Sequence, residues 1–158
     1  MLRTACLALL AAACGPTAPG ANEIERPAAQ APEVAPAPPI LPAGAIVVDD
    51  LASIEGEWRV AGVAGQPLSQ PFGISASIQD GRVRFVSQCI ARQYGLDIEG
   101  GLLIARLVRN DVPDCARPLT LDERGLEQAM GQVKTAYRLP SNALLFDGPA
   151  GAVTLFTQ

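Results

Sequence analysis

Ile74-Ser75-Ala76-Ser77-Ile78-Gln79-Asp80-Gly81-Arg82-Val83-Arg84-Phe85-Val86-Ser87 is the stretch that decides the fold. Ile74, Ala76 and Ile78 alternate with serines, which is the period of a strand with one buried face. Asp80-Gly81 is a tight-turn pair, because both residue types tolerate positive φ. Val83 and Phe85 resume the alternation on a return strand. The stretch therefore reads as an antiparallel hairpin. Ile74, Ala76, Ile78, Val83 and Phe85 face a core, and Ser75, Ser77, Arg82 and Arg84 face water.

The pattern extends in both directions. Upstream, Ile46-Val47-Val48 and Asp49-Asp50-Leu51 lead into a strand over Glu57–Val63. Downstream, Tyr94–Ile98, a turn at Glu99-Gly100-Gly101 and Leu102–Val108 form a second hairpin. Thr135–Arg138, Ala143–Phe146 and Val153–Phe156 are further short strands, punctuated by Pro140-Ser141-Asn142 and Asp147-Gly148-Pro149. Between these groups, Thr120-x-x-Glu123 is a capping-box pattern. Leu126, Ala129, Met130 and Val133 follow it at helical spacing as one apolar stripe. Gly125 and Gly131 each weaken that helix by about 1 kcal/mol relative to Ala. Strands, one helix, then more strands is not the alternation that builds a parallel sheet. The expectation is a mainly β fold, a compact antiparallel β-barrel of about eight short strands whose closure removes exposed edges. One α-helix is inserted after the fifth strand and packs its stripe over an opening of the sheet.

Length and composition bound the function. A chain of 158 residues fits one folded domain. Its net charge of −4 and 18% charged residues lack the Lys/Arg excess of a nucleic-acid binder, so no nucleic-acid partner is expected. The chain contains no His, which removes Ser-His-Asp and Cys-His catalysis and His-ligated metals together. Glu55 with Glu57 and Asp111 with Asp114 are close carboxylate pairs, but neither has the dense oxygen spacing of a calcium loop. No catalytic residues, metal or cofactor are expected, and the chain does not read as an enzyme. No apolar run approaches the roughly 18 residues of a spanning helix.

The N-terminal stretch reads as an address. Arg3 precedes an apolar run from Ala5 to Ala13, which ends in small residues. That is the layout of a secretory signal, here residues 1–13. Cys14 follows and resembles the lipidated cysteine of bacterial lipoproteins; a plain signal cut after Ala13 is the alternative. Acyl chains anchor by burying CH₂ groups, each worth about 0.8 kcal/mol. Gly15 after the cysteine points to the outer membrane, with the protein facing the periplasm of the bacterial envelope. Residues 15–45 hold 8 Pro and 9 Ala, so 14–45 reads as a lipidated cysteine and a disordered, extended tether. The folded domain occupies 46–158. Cys6 belongs to the signal and Cys14 to the anchor, which leaves Cys89 and Cys115 as a disulfide in an oxidising compartment. The competing role is a reactive thiol near Arg92 or Arg117.

From residue 51 to the end, the order of residues resembles the META domain family, the HslJ-like bacterial lipoproteins. Leu51-x-x-Ile54-x-Gly56-x-Trp58-x-Val60 is similar to the family's opening strand. Ser87-Gln88-Cys89-Ile90 through Tyr94 and Asp114-Cys115-Ala116 are similar to its two cysteine segments. The helix with Glu127 and Met130, then Lys134-Thr135-Ala136-Tyr137-Arg138-Leu139, fits its C-terminal half. Ile90 and Gln88 stand where the family carries Asn and Gly. The resemblance implies a compact antiparallel barrel with one helix and a role in envelope stress tolerance. It brings no catalytic residues.

The leading expectation is a non-enzymatic, lipid-anchored envelope protein that supports stress tolerance or binds an envelope component, its partner an unidentified protein or small ligand. One alternative is a periplasmic inhibitor of a lysozyme or protease, using Pro67–Phe72 or Arg109–Pro118 as a rigid loop. Another is a lipocalin-like carrier. Arg82, Arg84, Arg106 and Arg109 are the candidate anion or partner contacts, provided their strands adjoin. The ordinary alternative is a solvated face neutralised by Asp80, Asp97 and Glu99. Trp58, Tyr94 and Tyr137 read as core.

Overall fold

The structure is a computed structural model, and it describes residues 41, 43–69, 72–111 and 115–157. The signal at 1–13, the lipidation at Cys14 and most of the tether lie outside the described residues. Every described residue belongs to one compact unit, Pro36–Gln158.

The first elements in the chain are β1 (Ile46–Val47), a 3-10 turn at Leu51–Ile54, β2 (Gly56–Val63), β3 (Gln66–Pro67), β4 (Ser75–Gln79) and β5 (Arg82–Val86). They are followed by β6 (Ala91–Glu99), β7 (Leu102–Asn110), the helix α1 (Leu121–Gly131), β8 (Thr135–Arg138), β9 (Leu144–Asp147) and β10 (Val153–Thr157). Every strand pairing is antiparallel, in the order β1-β8-β9-β10-β2-β4-β5-β6-β7, with β3 hairpinned onto β2. The sheet curls into a half-barrel. At its far end the Leu103 N–H donates to the Lys134 carbonyl at 2.8 Å, so the start of β7 meets the segment entering β8.

All the strands read from the alternation are present. Two additional strands of two residues each, β1 and β3, place α1 after the seventh strand in chain order rather than the fifth. Neither is long enough to carry a period. β3 depends on the Ala64-Gly65 turn, where both residues have positive φ (52° and 75°). The Asp80-Gly81 turn has the same signs (51° and 64°). These are the φ signs of hairpin turns whose twist matches the flanking strands. Ala64 takes a position usually held by Asn or Asp, which hides the first of the two turns from a sequence search. Gly62 is demanded by the close return of β3: a Cβ there would lie 2.5 Å from the Gln66 carbonyl oxygen.

Inward-facing residues fill the curl. Phe85, Phe146, Ile54, Ile74, Leu144 and Leu155 are fully buried, as are Leu126 and Met130 of α1. Ile74, Ala76, Ile78, Val83 and Phe85 all face this core. The helix closes the core where it meets β2, and a Cβ on Gly125 would lie 3.0 Å from Val63 Cγ1. The glycine that weakens the helix therefore sits at its closest approach to the sheet. Trp58 is buried, with its indole N–H donating to the Ile54 carbonyl at 3.1 Å. Tyr94 is buried, and Tyr137 is half-buried on β8.

Candidate binding face

Strand register assembles the arginines. One cross-strand row runs Glu57–Ser77–Arg84–Gln93–Arg109 over β2, β4, β5, β6 and β7. The next row runs Gln79–Arg82–Gly95–Arg106. Side chains in one row share a face, and rows two residues apart share the same face. Arg82, Arg84, Arg106 and Arg109 thus stand together on the outer surface, with β6 between the two pairs. On a regular strand, residues 106 and 109 would point to opposite faces. A bulge makes the difference: Gln93 pairs with Arg109 and Tyr94 with Leu107, which leaves Val108 as the extra residue.

The four arginines then divide. Arg106 meets Glu99 at 3.2 Å and Asp97 at 3.8 Å, and Arg109 meets Asp111 at 2.5 Å. The Arg106 pairs are those of the solvated-face alternative, Arg109 takes a carboxylate outside it, and each exposed pair contributes little stability. Arg82 and Arg84 have no carboxylate partner among the described residues. They line a groove of about 420 Å³ with Ser77, Gln79 and Gln93, with Glu57 on its β2 side and Asp80 at the β4–β5 turn. The Ser77 hydroxyl donates to Glu57 Oε1 at 2.6 Å. Glu55, the neighbouring carboxylate, accepts the Asp80 N–H at 2.9 Å. Asp80 opens onto the groove rather than pairing with Arg82. Glu55 and Glu57 therefore serve separate hydrogen bonds.

At the start of α1, sequence reasoning missed a buried polar network. Thr120 and Glu123 form the expected capping box. Glu123 does more than cap: it is fully buried and also accepts the Ser87 hydroxyl at 2.5 Å and the Arg117 guanidinium at 2.9 and 3.1 Å. Burial alone raises its pKa. The hydrogen bonds from Arg117, Ser87 and Thr120 outweigh that and hold it at about 2. Arg117 lies 4.9 Å over the Phe72 ring, and the Ser69 N–H and hydroxyl both donate to Asp122 Oδ2 at 2.8 Å. The Cys89–Cys115 disulfide is formed, with Cα atoms 5.5 Å apart. Parts of both proposed rigid loops, 67–72 and 109–118, are thereby tied to the start of one helix.

Arg92 was also missed. Its register on β6 points it inward beside Phe85, where it is buried and forms an ion pair with Glu127 of α1. Among the described residues Arg92 Nη1 has no hydrogen-bond partner. Tyr94, on the same strand, has its phenol pushed up to about 12, first by burial and then by the Glu127 charge, against the opposing effect of Arg92. An arginine on an alternating strand gives no sign of burial in the sequence.

No family model matches the chain, and neither a curated protein nor a solved structure does.

Proposed function

We propose that this chain is a non-enzymatic, lipid-anchored protein of the bacterial envelope, of the META/HslJ-like type its sequence resembles, and that it binds an anionic envelope component on its outer sheet face. The observation that carries the binding site is the groove in which Arg82 and Arg84 stand without carboxylate partners beside Ser77, Gln79 and Gln93. Guanidinium forks with neighbouring side-chain amides suit an oxyanion. The envelope assignment is supported by the signal-like stretch before Cys14 and agrees with a disulfide, which persists in oxidising compartments. In this reading the acylated Cys14 holds the protein on the outer membrane, facing the periplasm, and the Pro/Ala segment acts as a spacer.

Two measurements test the proposal. Intact-mass analysis of the exported protein should find an acylated Cys14 at its N-terminus, and an unprocessed Met1 would remove the envelope assignment. Titration of the full chain with inorganic phosphate, followed by NMR of the Gln79 and Gln93 side-chain amides, should give a saturable shift that R82Q/R84Q abolishes. Lack of any shift would remove the groove as a binding site.

One observation favours a second reading. The Ser69–Asp122 and Arg117–Phe72 contacts brace the two loops against α1, as an inhibitor of a lysozyme or protease requires. Inhibition assays against both hydrolase classes separate the two readings. The carrier alternative draws no support from an interior packed with Phe85, Phe146 and Leu155.

A further inference from the structure

We infer that the groove's ligand is a compact zwitterion, a phosphate ester carrying a primary ammonium group of the phosphoethanolamine kind. This rests on the proposed use of the groove as the binding site and adds the chemistry of what fills it. The groove is dipolar. Arg82 and Arg84 occupy alternate residues of β5, so their backbones are about 6.6 Å apart on one face, and both side chains line the same volume. A phosphate offers several acceptor oxygens to two such forks, whereas one carboxylate is served by one.

The β2 side of the groove carries a carboxylate. Glu57 lies two strands from Arg84, about 9.6 Å across the sheet. Ser77 occupies only Oε1 of Glu57, and Asp80 lies at the turn end of the same groove. Carboxylates facing a groove accept an ammonium group and repel a purely anionic polymer, as does a chain of net charge −4. Gln79 on β4 and Gln93 on β6 flank the arginines and supply neutral hydrogen bonds, while the Ser77 hydroxyl proton is given to Glu57. The described lining contains no aromatic ring. Trimethylated ammonium groups are recognised by aromatic cages, so the cationic end is a hydrogen-bonding primary ammonium and not a choline.

The same headgroup chemistry occurs in a free phosphate monoester and in a phospholipid diester, and the test distinguishes these sources. The full chain is titrated with O-phosphoethanolamine, phosphocholine, inorganic phosphate and monomeric dihexanoyl phosphatidylethanolamine, following the Gln79 and Gln93 amide signals. O-Phosphoethanolamine should bind about fivefold tighter than phosphate or phosphocholine, the size expected for one partly screened ion pair. E57Q should erase that preference while leaving phosphate binding in place, and R82Q/R84Q should abolish all binding. Comparable affinity for the diester marks a lipid headgroup as the source, and binding of the monoester alone marks a soluble one; either supports the proposal. Equal affinity for phosphate, phosphocholine and phosphoethanolamine would overturn the zwitterion while leaving the anion site intact. Failure of every probe would overturn both.

Discussion

Acid should loosen the start of α1 through a single carboxylate. Glu123 is fully buried, and the charged form accepts hydrogen bonds from Ser87, Arg117 and both the N–H and hydroxyl of Thr120. Its pKa falls from 4.5 to about 2 on folding, because those donors outweigh the effect of burial. A carboxyl depressed in the folded state stabilises the fold above its unfolded pKa. That stability disappears as pH falls from 4.5 towards about 2. The gap corresponds to roughly 3 kcal/mol at full strength. The Arg117 side chain is 32% exposed, so solvent screens part of the interaction, and about 2 kcal/mol is the expected effect.

The assay is urea denaturation of the full chain and of Glu123→Gln at a series of pH values from 7 to 2.5. The variant should be less stable at pH 7 by about 2 kcal/mol, since a neutral amide does not replace the carboxylate in the ion pair. Its deficit should shrink steadily below pH 4.5 as the native carboxyl takes up its proton. Every other carboxylate titrates in both proteins, so the difference between the two curves isolates Glu123. Parallel curves from pH 7 to 2.5 would refute the argument, because Glu123 would then have the same proton affinity folded and unfolded.

Four further outcomes follow from the packing. Opening the Cys89–Cys115 bond, whose cysteines are 26 residues apart, should cost about 3.5 kcal/mol by the chain-entropy relation, measured by denaturation of the double serine variant. Gly148→Ala should destabilise by at least about 1–3 kcal/mol, because its Cβ would fall 2.3 Å from the Gln132 carbonyl oxygen. Gly131→Ala, facing open space at the end of α1, should instead stabilise by about 0.5 kcal/mol, both glycine variants being compared with the parent by urea denaturation. Arg92→Leu should cost about 3 kcal/mol by leaving Glu127 without its counter-charge, whereas Arg92→Leu with Glu127→Leu should lie within about 1 kcal/mol of the parent.

The elements that were legible in the sequence are those whose local and tertiary demands agree. Ile74–Phe85 alternates because one sheet face is core, and the Asp80-Gly81 turn sets the register that keeps it so. Thr120 and Glu123 are readable because the capping box is a purely local device. The two-residue strands β1 and β3 were not readable. Their pairing is specified by the partners β8 and β2 and not by any period of their own. Arg92 was misjudged for a related reason. An inward position on β6 is fixed by pairing with Phe85 and by Glu127 arriving from α1, and neither fact resides near Arg92 in the chain.

The candidate face shows the same division more sharply. Arg82 and Arg84 are separated by two residues, so period alone puts them on one side of β5. Arg106 and Arg109 are separated by three, and period alone would have split them. Only the extra residue Val108, accommodated opposite the Gln93–Tyr94 step, returns Arg109 to the outer side. The same bulge carries Arg109 towards Asp111 at the end of β7, where it is neutralised. One strand therefore contributes arginines that answer to local acids, while the other leaves two without ion pairs over a groove with Glu57 on its β2 side and Asp80 at the β4–β5 turn. Charge counting treats all four alike. What separates a binding surface from a solvated one here is the pairing register, which decides the distance of each guanidinium from the nearest carboxylate.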